Sequence, residues 1–310
     1  MIRRRALLAL IGCLAAAPAP ALAEPPPLTD ADGKPIARGD ASRLVVVGGA
    51  LTEIVYALGA DARLVAVDTT SMYPPDALKR LPNVGYMRAL SAEGVLSLKP
   101  TLILAEGDAG PPAALAQMRN AGAALVLLRK SPSPEGVVYK MRAVARVLGR
   151  EAAGEKLATA FESDMAALAA AIAKAPQRPK VVFLLSASRG LLAAGQDTAA
   201  DHMIALAGGV NAIQGYTGYK PLSGEAVIAG KPDVILVTEH GLAQLGGADR
   251  LLERPELAPT PAGQAKRVVT LDALLVLGFG PRTPMGVRFL AAKLHRGLAL
   301  PPPAGASGAQ

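Results

Sequence analysis

Apolar runs of four or five residues, each closed by a turn signal and followed by helical spacing, recur along most of this chain. Leu44 to Val47 is followed by Gly48-Gly49, then by apolar positions at helical spacing from Leu51 to Leu58, with Gly59 as the stop. Leu64 to Val67 is the next strand; it ends at Asp68, and Thr69 to Pro74 is a polar loop. A helix over 112–121 and a strand over 124–128 continue the series. Strands alternating with helices predict a parallel α/β sheet. From Glu135 to Ala175 the strand pattern stops, and the spacing predicts a helix to about Leu148 and a long one from Glu151 to Lys174. After Pro176 and Pro179 the alternation restarts with a strand over 181–185, a loop over 186–195, a helix over 199–207 and a loop over 214–221. A loop over 238–241, a strand over 267–271 and a helix to Leu298 complete it.

One α-turn-β unit occurs twice. The segments from Ser91 to Ala105 and from Ser223 to Val237 match in register at Ser, Glu, Val, Lys, Pro, Ile and Leu. Serine followed two residues later by glutamate marks a helix start, Lys-Pro its end, and the apolar run after it a buried strand. Two copies so far apart exclude a solenoid and predict two similar lobes facing each other across a cleft. The expected architecture is therefore α/β, with two Rossmann-like lobes carrying parallel sheets and joined by a single long helix. The boundaries are residues 24–42 for an extended leader, 43–134 for the first lobe, 135–176 for the helical spine, 177–300 for the second lobe and 301–310 for a disordered tail.

The amino terminus changes the setting. Arg3-Arg4-Arg5, the short apolar stretch Ala6 to Ala17 and the small residues Ala21-Leu22-Ala23 form a secretory signal over residues 1–23, cleaved after Ala23. A competing assignment exists, because Leu10-Ile11-Gly12-Cys13 resembles a lipoprotein box. Cys13 is the chain's only cysteine, so the exported form has no thiol for catalysis, for a thiolate metal site or for an iron–sulfur cluster. Once Ala23 is passed, thirty basic residues face twenty-five acidic ones. That mild excess suits an anionic ligand, and without dense basic runs or many aromatics it is no nucleic-acid signature. No later apolar run is long enough to span a bilayer, so the exported protein is read as soluble.

In an open α/β sheet, ligands sit beyond the carboxyl ends of the strands, so the loops there hold the candidate chemistry. Tyr73, before Pro74, is either an oxygen ligand for ferric iron or a surface ring covering apolar area. Arg282 sits in the stiff segment Phe279-Gly-Pro-Arg-Thr-Pro284, where a pre-positioned guanidinium loses little entropy on meeting a carboxylate or phenolate. Arg189 lies between small residues, and Tyr216, Tyr219 and Lys220 gather before the second repeat copy. His202 and His295 read as surface residues, while His240 directly follows a strand and is a candidate for the cleft. No two histidines stand at ligand spacing, which argues against a zinc site. The GxGxxG, GxSxG and P-loop patterns are all missing, and an exported serine hydrolase would rest only on Ser71 or Ser186, neither with a histidine nearby.

Gly48 to Gly59, Asp68-Thr-Thr-Ser-Met-Tyr-Pro74, Val84 to Gly94 and Gly278-Phe-Gly-Pro-Arg-Thr283 resemble the periplasmic haem-binding proteins of bacterial haemin ABC importers. The likeness runs from about Arg43 to Leu298. It implies a carrier with no catalytic step, which takes ferric haem b between two lobes and delivers it to an ABC permease dimer with its ATPase, downstream of an outer-membrane haem receptor. By the same resemblance, Tyr73 is the axial ligand of the haem iron, and Arg282 contacts the phenolic oxygen or a propionate. Arg88, Arg189, Tyr219 and Lys220 are further contacts, and His240 is a candidate second ligand. Glu93 and Glu225, one per repeat copy, would dock on arginines of the permease. Siderophore and cobalamin carriers of the same fold are the alternatives, although cobalamin clefts in relatives use tryptophan and this chain has none.

Overall fold

The computed structural model describes residues 28–187 and 190–303. In chain order the first half contains β1 (Leu44–Val47), α1 (Gly49–Ala57), β2 (Leu64–Val67), α2 (Asp76–Arg80), α3 (Ala92–Leu96), β3 (Leu102–Glu106), α4 (Pro112–Asn120) and β4 (Leu125–Leu128). Its four strands form a parallel sheet in the order β2-β1-β3-β4. The strand β1 reads as an unbroken apolar run because both faces of the sheet are covered. Leu44 and Val46 enter one core while Val45 and Val47 enter the other, and all four are fully buried.

Two helices follow, α5 (Pro134–Leu148) and α6 (Glu151–Ile172). Ser133 caps α5 by accepting from the Gly136 N–H, and Gly149 ends it in the left-handed conformation. The chain then reverses, so that α5 and α6 lie against each other. Helix α5 packs on α1, whereas the 22 residues of α6, about 33 Å long, also pack on the last helix of the chain.

The second half contains β5 (Lys180–Ala187), β6 (Gly190–Ala194), α7 (Ala199–Leu206), β7 (Val210–Asn211), β8 (Tyr219–Pro221), α8 (Gly224–Gly230) and β9 (Val234–Thr238). It continues with α9 (Glu239–Gln244), α10 (Ala248–Leu252), α11 (Pro261–Gln264), β10 (Val268–Leu271), α12 (Ala273–Leu277) and α13 (Thr283–Leu294). Its sheet runs β10-β9-β5-β6-β8, with β7 on the end of β5. Val181 and Phe183 of β5, with Val234 and Leu236 of β9, join the same hydrophobic cluster as Leu44, Leu51, Met141 and Leu168. One core therefore runs through both lobes and the two helices between them, which ties the lobes together. No helix among the described residues is long and apolar enough to cross a membrane.

The duplicated unit folds alike in both places. Ser91 and Ser223 are extended N-caps accepting from the Gly94 and Ala226 N–H groups, and Lys99 and Lys231 leave the helices with φ of 49° and 47°. A helix that precedes a parallel strand runs antiparallel to it, so α3 and α8 both begin at the carboxyl ends of the sheets.

Several sequence expectations need correction. The second sheet is mixed, because residues 186–195 continue β5 and return as the antiparallel strand β6, where a loop was expected. The surrounding Ser, Arg and Gly hid the short run Leu191 to Ala194. Residues 219–221 pair with β6 as an edge strand, and residues 239–244 form a helix capped by Thr238. The two helices of the spine fall where expected, one ending at Leu148 and the long one beginning at Glu151. Part of the leader is folded rather than extended, with Thr29 bridging Pro35. Asp30 Oδ1 accepts from the Asp32 and Lys34 N–H groups to make a turn, and Ile36 is buried against the first lobe. At the other end, Arg288 Nε donates to the Pro301 carbonyl, so the tail begins pinned. His295 is buried, its Nε2 donating to the Ala207 carbonyl at 3.0 Å. The signal segment with Cys13, Arg189 and residues 304–310 lie outside the described residues.

Candidate functional site

A cavity of about 670 Å³ opens between the lobes, within the range of small-molecule sites. Each strand of the first sheet delivers a residue to it just past its carboxyl end: Gly48 after β1, Thr70 after β2, Asp108 after β3 and Lys130 after β4. The first lobe and α5 contribute most of the polar lining, with Arg88, Glu106, Asp108 and Lys130 from the lobe and Lys140 from the helix, and Met72, Tyr86 and Met87 beside them. The second lobe contributes a largely apolar wall of Leu185, Leu192, Leu274, Leu277 and Phe279, with Asp197, Thr198 and Tyr219 at its edge. Such a cleft suits a flat apolar ligand with charged groups along one edge.

The loop bearing Tyr73 is held by Asp68. This buried carboxylate accepts from Gly48 N at 2.9 Å, Thr70 N at 3.0 Å, Thr70 Oγ1 at 2.8 Å and Ser71 Oγ at 3.0 Å. Thr52 and Ser71 share a further hydrogen bond of 2.8 Å, and Gly49 N donates to Thr70 Oγ1 at 2.9 Å. The threonines and serine thus stitch the loop to the start of α1. Gly49 is required by this closeness, since a Cβ there would lie 2.3 Å from the Thr70 carbonyl and 2.6 Å from Leu274 Cδ2 of the other lobe. Ser71 spends its hydroxyl on Asp68 and Thr52 and is fully buried.

Tyr73 follows, 41% exposed; Met72 before it lines the cavity, whereas Tyr73 and Arg282 are not among the cavity-lining residues. The Arg282 guanidinium lies over its ring, 3.6 Å from the centroid, while Arg282 Nη2 donates to Glu53 Oε1 at 2.6 Å. Arginine and tyrosine are therefore brought together face to face, with the guanidinium over the ring. Such a cation over a ring stabilises negative charge developing on it. Glu53 lies on α1 and Arg282 precedes α13, so this ion pair crosses between the lobes. Burial pushes the Glu53 carboxyl up and Arg282 pulls it part of the way back.

The remaining candidates separate. Arg88 lines the cleft, donating to Asp108 Oδ2 at 2.5 Å and to the Tyr86 hydroxyl. Tyr219 faces it from the second lobe; burial pushes its phenol up, with hydrogen bonding to Thr198 and Ala200 and, least, the Arg88 charge only partly opposing this. Lys220, the next residue on the edge strand, turns instead over the Tyr216 ring at 4.8 Å and is not among the cavity-lining residues. His240 is exposed on α9, where Gln244 Nε2 donates to it at 2.9 Å, and it too is outside the lining. Glu93 and Glu225 are exposed in the first turns of α3 and α8, at the end of each lobe that carries the cleft.

Sequence reasoning passed over Asp68, Glu106, Asp108, Lys130 and Lys140. A signal was available for Asp68, because an aspartate closing a strand before Thr-Thr-Ser is a side-chain turn motif. For the others no local pattern existed. Glu106 and Lys140 are 34 residues apart in sequence, yet they form a buried pair at 3.2 Å; burial raises the Glu106 carboxyl and Lys140 opposes this.

Residues 44–275 match the family model described as periplasmic binding protein. The periplasmic heme-binding protein BhuT, solved in complex with two hemes, is 48% identical, with 83% of this chain and 99% of that one covered and a TM-score of 0.77. The apo periplasmic heme-binding protein RhuT from Roseiflexus sp. RS-1 is 45% identical, covering 82% and 97%, with a TM-score of 0.79. The vitamin B12-binding protein of Vibrio cholerae serotype O1 is 29% identical over 204 residues, 66% of this chain and 72% of that protein. With three quarters of its length matched and its two-lobed fold shared, the chain belongs to the periplasmic binding protein family.

Proposed function

We propose that this protein captures ferric haem b between its lobes and delivers it to an ABC permease and its ATPase, with no catalytic step of its own. The observation that carries this is the Tyr73 phenol on a loop pinned by Asp68, with the Arg282 guanidinium 3.6 Å from its ring centroid, next in sequence to Met72 of the amphipathic cleft. A neutral phenol is a poor ligand, and the ferric ion together with the adjacent cation favours the phenolate. Phenolate is a hard donor that favours ferric over ferrous iron, so the cargo is held without oxygen activation. The periplasmic heme-binding proteins RhuT and BhuT, 45% and 48% identical to this chain, support this cargo. A corrin is the second reading, supported by a relative at 29%.

Titration with haemin and with cyanocobalamin separates the two. The expected result is a high-spin ferric Soret band with a phenolate charge-transfer band for haemin, both altered in Tyr73→Phe. An unchanged spectrum in Tyr73→Phe would refute the ligand assignment, and tight binding of cyanocobalamin alone would refute the cargo. Export with cleavage after Ala23, rather than lipidation at Cys13, predicts a mature amino terminus at Glu24, readable by mass spectrometry.

A further inference from the structure

The cleft lies at the carboxyl ends of the strands, and the amino ends carry a different surface. In the second lobe β5, β9 and β10 are parallel, so the segments that enter them, 173–180, 229–234 and 263–268, gather at the end of the lobe away from the cleft. Segment 292–298, where α13 stops, joins them, because Arg267 Nη2 donates to the Lys293 and Leu294 carbonyls at 3.0 and 3.1 Å. These four segments hold eight lysines and arginines and a single acid, Asp233. The rest of the chain from Glu24 onward has twenty-two basic residues against twenty-four acidic ones, so the whole positive excess sits at this end. Cations near helix C-termini complement the macrodipole, and Arg267 serves in this way while Arg178 Nη2 donates to the Gly209 carbonyl just past α7. The other six cations are exposed, and among the described residues none of them forms a salt bridge.

A cavity of about 840 Å³ opens in this end, with Arg267 and Arg296 beside the apolar Pro176, Pro179, Leu294 and Leu298, and no carboxylate lines it. So many unpaired cations exceed what one small anion needs and match an extended array of phosphates. The four segments contain no Phe, Tyr or Trp on which bases could stack, which disfavours a nucleic acid. We propose that this end of the second lobe is a docking surface for a bilayer of anionic phospholipids, with one headgroup phosphate entering the cavity beside Arg267 and Arg296. The apolar residues there meet the glycerol and upper acyl carbons, while the surrounding lysines neutralise neighbouring headgroups. Because Glu93 and Glu225 lie at the opposite end, a molecule held in this way turns its cleft away from that bilayer and keeps it open to cargo. The surface does not depend on what the cargo is.

The experiment is co-sedimentation of the protein with vesicles of phosphatidylglycerol mixed into phosphatidylcholine, and with vesicles of phosphatidylcholine alone. Wild type is expected to bind the anionic vesicles, less tightly as salt is raised, and to leave the neutral ones in place. Each lysine or arginine near such a surface is worth roughly five-fold in partitioning. Lys266→Gln, Lys293→Gln and Arg296→Gln together are therefore expected to weaken binding on the order of 100-fold. The control removes the same charge elsewhere, through Lys79→Gln, Arg80→Gln and Lys156→Gln, and is expected to bind nearly as wild type does. Ala265→Phe keeps every charge but fills the cavity, and is expected to weaken binding several-fold. Circular dichroism melts that overlay wild type show that the variants fold. Equal binding to phosphatidylcholine alone, an equal loss in the control, displacement by millimolar inorganic phosphate, or no effect of Ala265→Phe overturns the proposal.

Discussion

Replacing Arg282 by leucine removes the cation that joins the lobes through Glu53 beside Tyr73. The Glu53 side chain is 5% exposed and that of Arg282 18%, so the change strands a buried carboxylate. Removing one partner of a buried pair costs about 3–5 kcal/mol; the partial exposure of Arg282 puts this case near the lower end, about 3 kcal/mol. For a chain of this size that is a fall in Tm of roughly 6–12 °C. Because one core runs through both lobes, the loss should appear as a shift of a single transition. The chain has no tryptophan, so circular dichroism is the probe of choice. The pH dependence identifies the cause. Burial already raises the Glu53 carboxyl above its ordinary value of 4.5, and a group with a raised folded pKa contributes stability that is present at low pH and lost as pH rises through that pKa. Without Arg282 the folded pKa rises further, so the deficit is largest at neutral pH and closes as the pH falls towards 4.5. Adding Glu53→Gln to Arg282→Leu should restore most of the stability at neutral pH. A deficit equal at pH 5 and pH 8, or no recovery in the double variant, would refute the stranded carboxylate.

Two other outcomes follow from the same geometry. Lys140→Met leaves Glu106 unpaired in the cleft floor and should cost about 4 kcal/mol at neutral pH, with Lys140→Met combined with Glu106→Gln recovering most of it in thermal melts. Glu93→Ala with Glu225→Ala should keep haemin affinity while abolishing transport in vesicles containing the permease; intact transport would remove the docking role.

The loop from Asp68 to Pro74 shows how far the chain could be read directly. Its polar residues, its place after a strand and the tyrosine beside a proline were all visible, because turn chemistry is local. The Arg282 guanidinium over Tyr73 had no local signal and was expected only from the family resemblance, since 209 residues separate the two and the meeting of the lobes at the Glu53–Arg282 pair brings them face to face. The antiparallel β6 hairpin was missed for a related reason. Its apolar run is short and flanked by glycines, and its pairing with β5 is stabilised by the lobe as a whole.

The sequence by itself determined the alternation of strands and helices, the duplicated Ser-x-Glu unit with both its helix caps, and the loop that carries Tyr73. These depend on periodicity, capping and backbone preference within a few residues. Only the tertiary structure decided which charges face one another: Glu53 with Arg282, Glu106 with Lys140, and Asp108 between Arg88 and Lys130. Each pair lies between 20 and 229 residues apart, and ion pairs of that kind have no sequence period, because the stacking of lobes and helices brings their loops together.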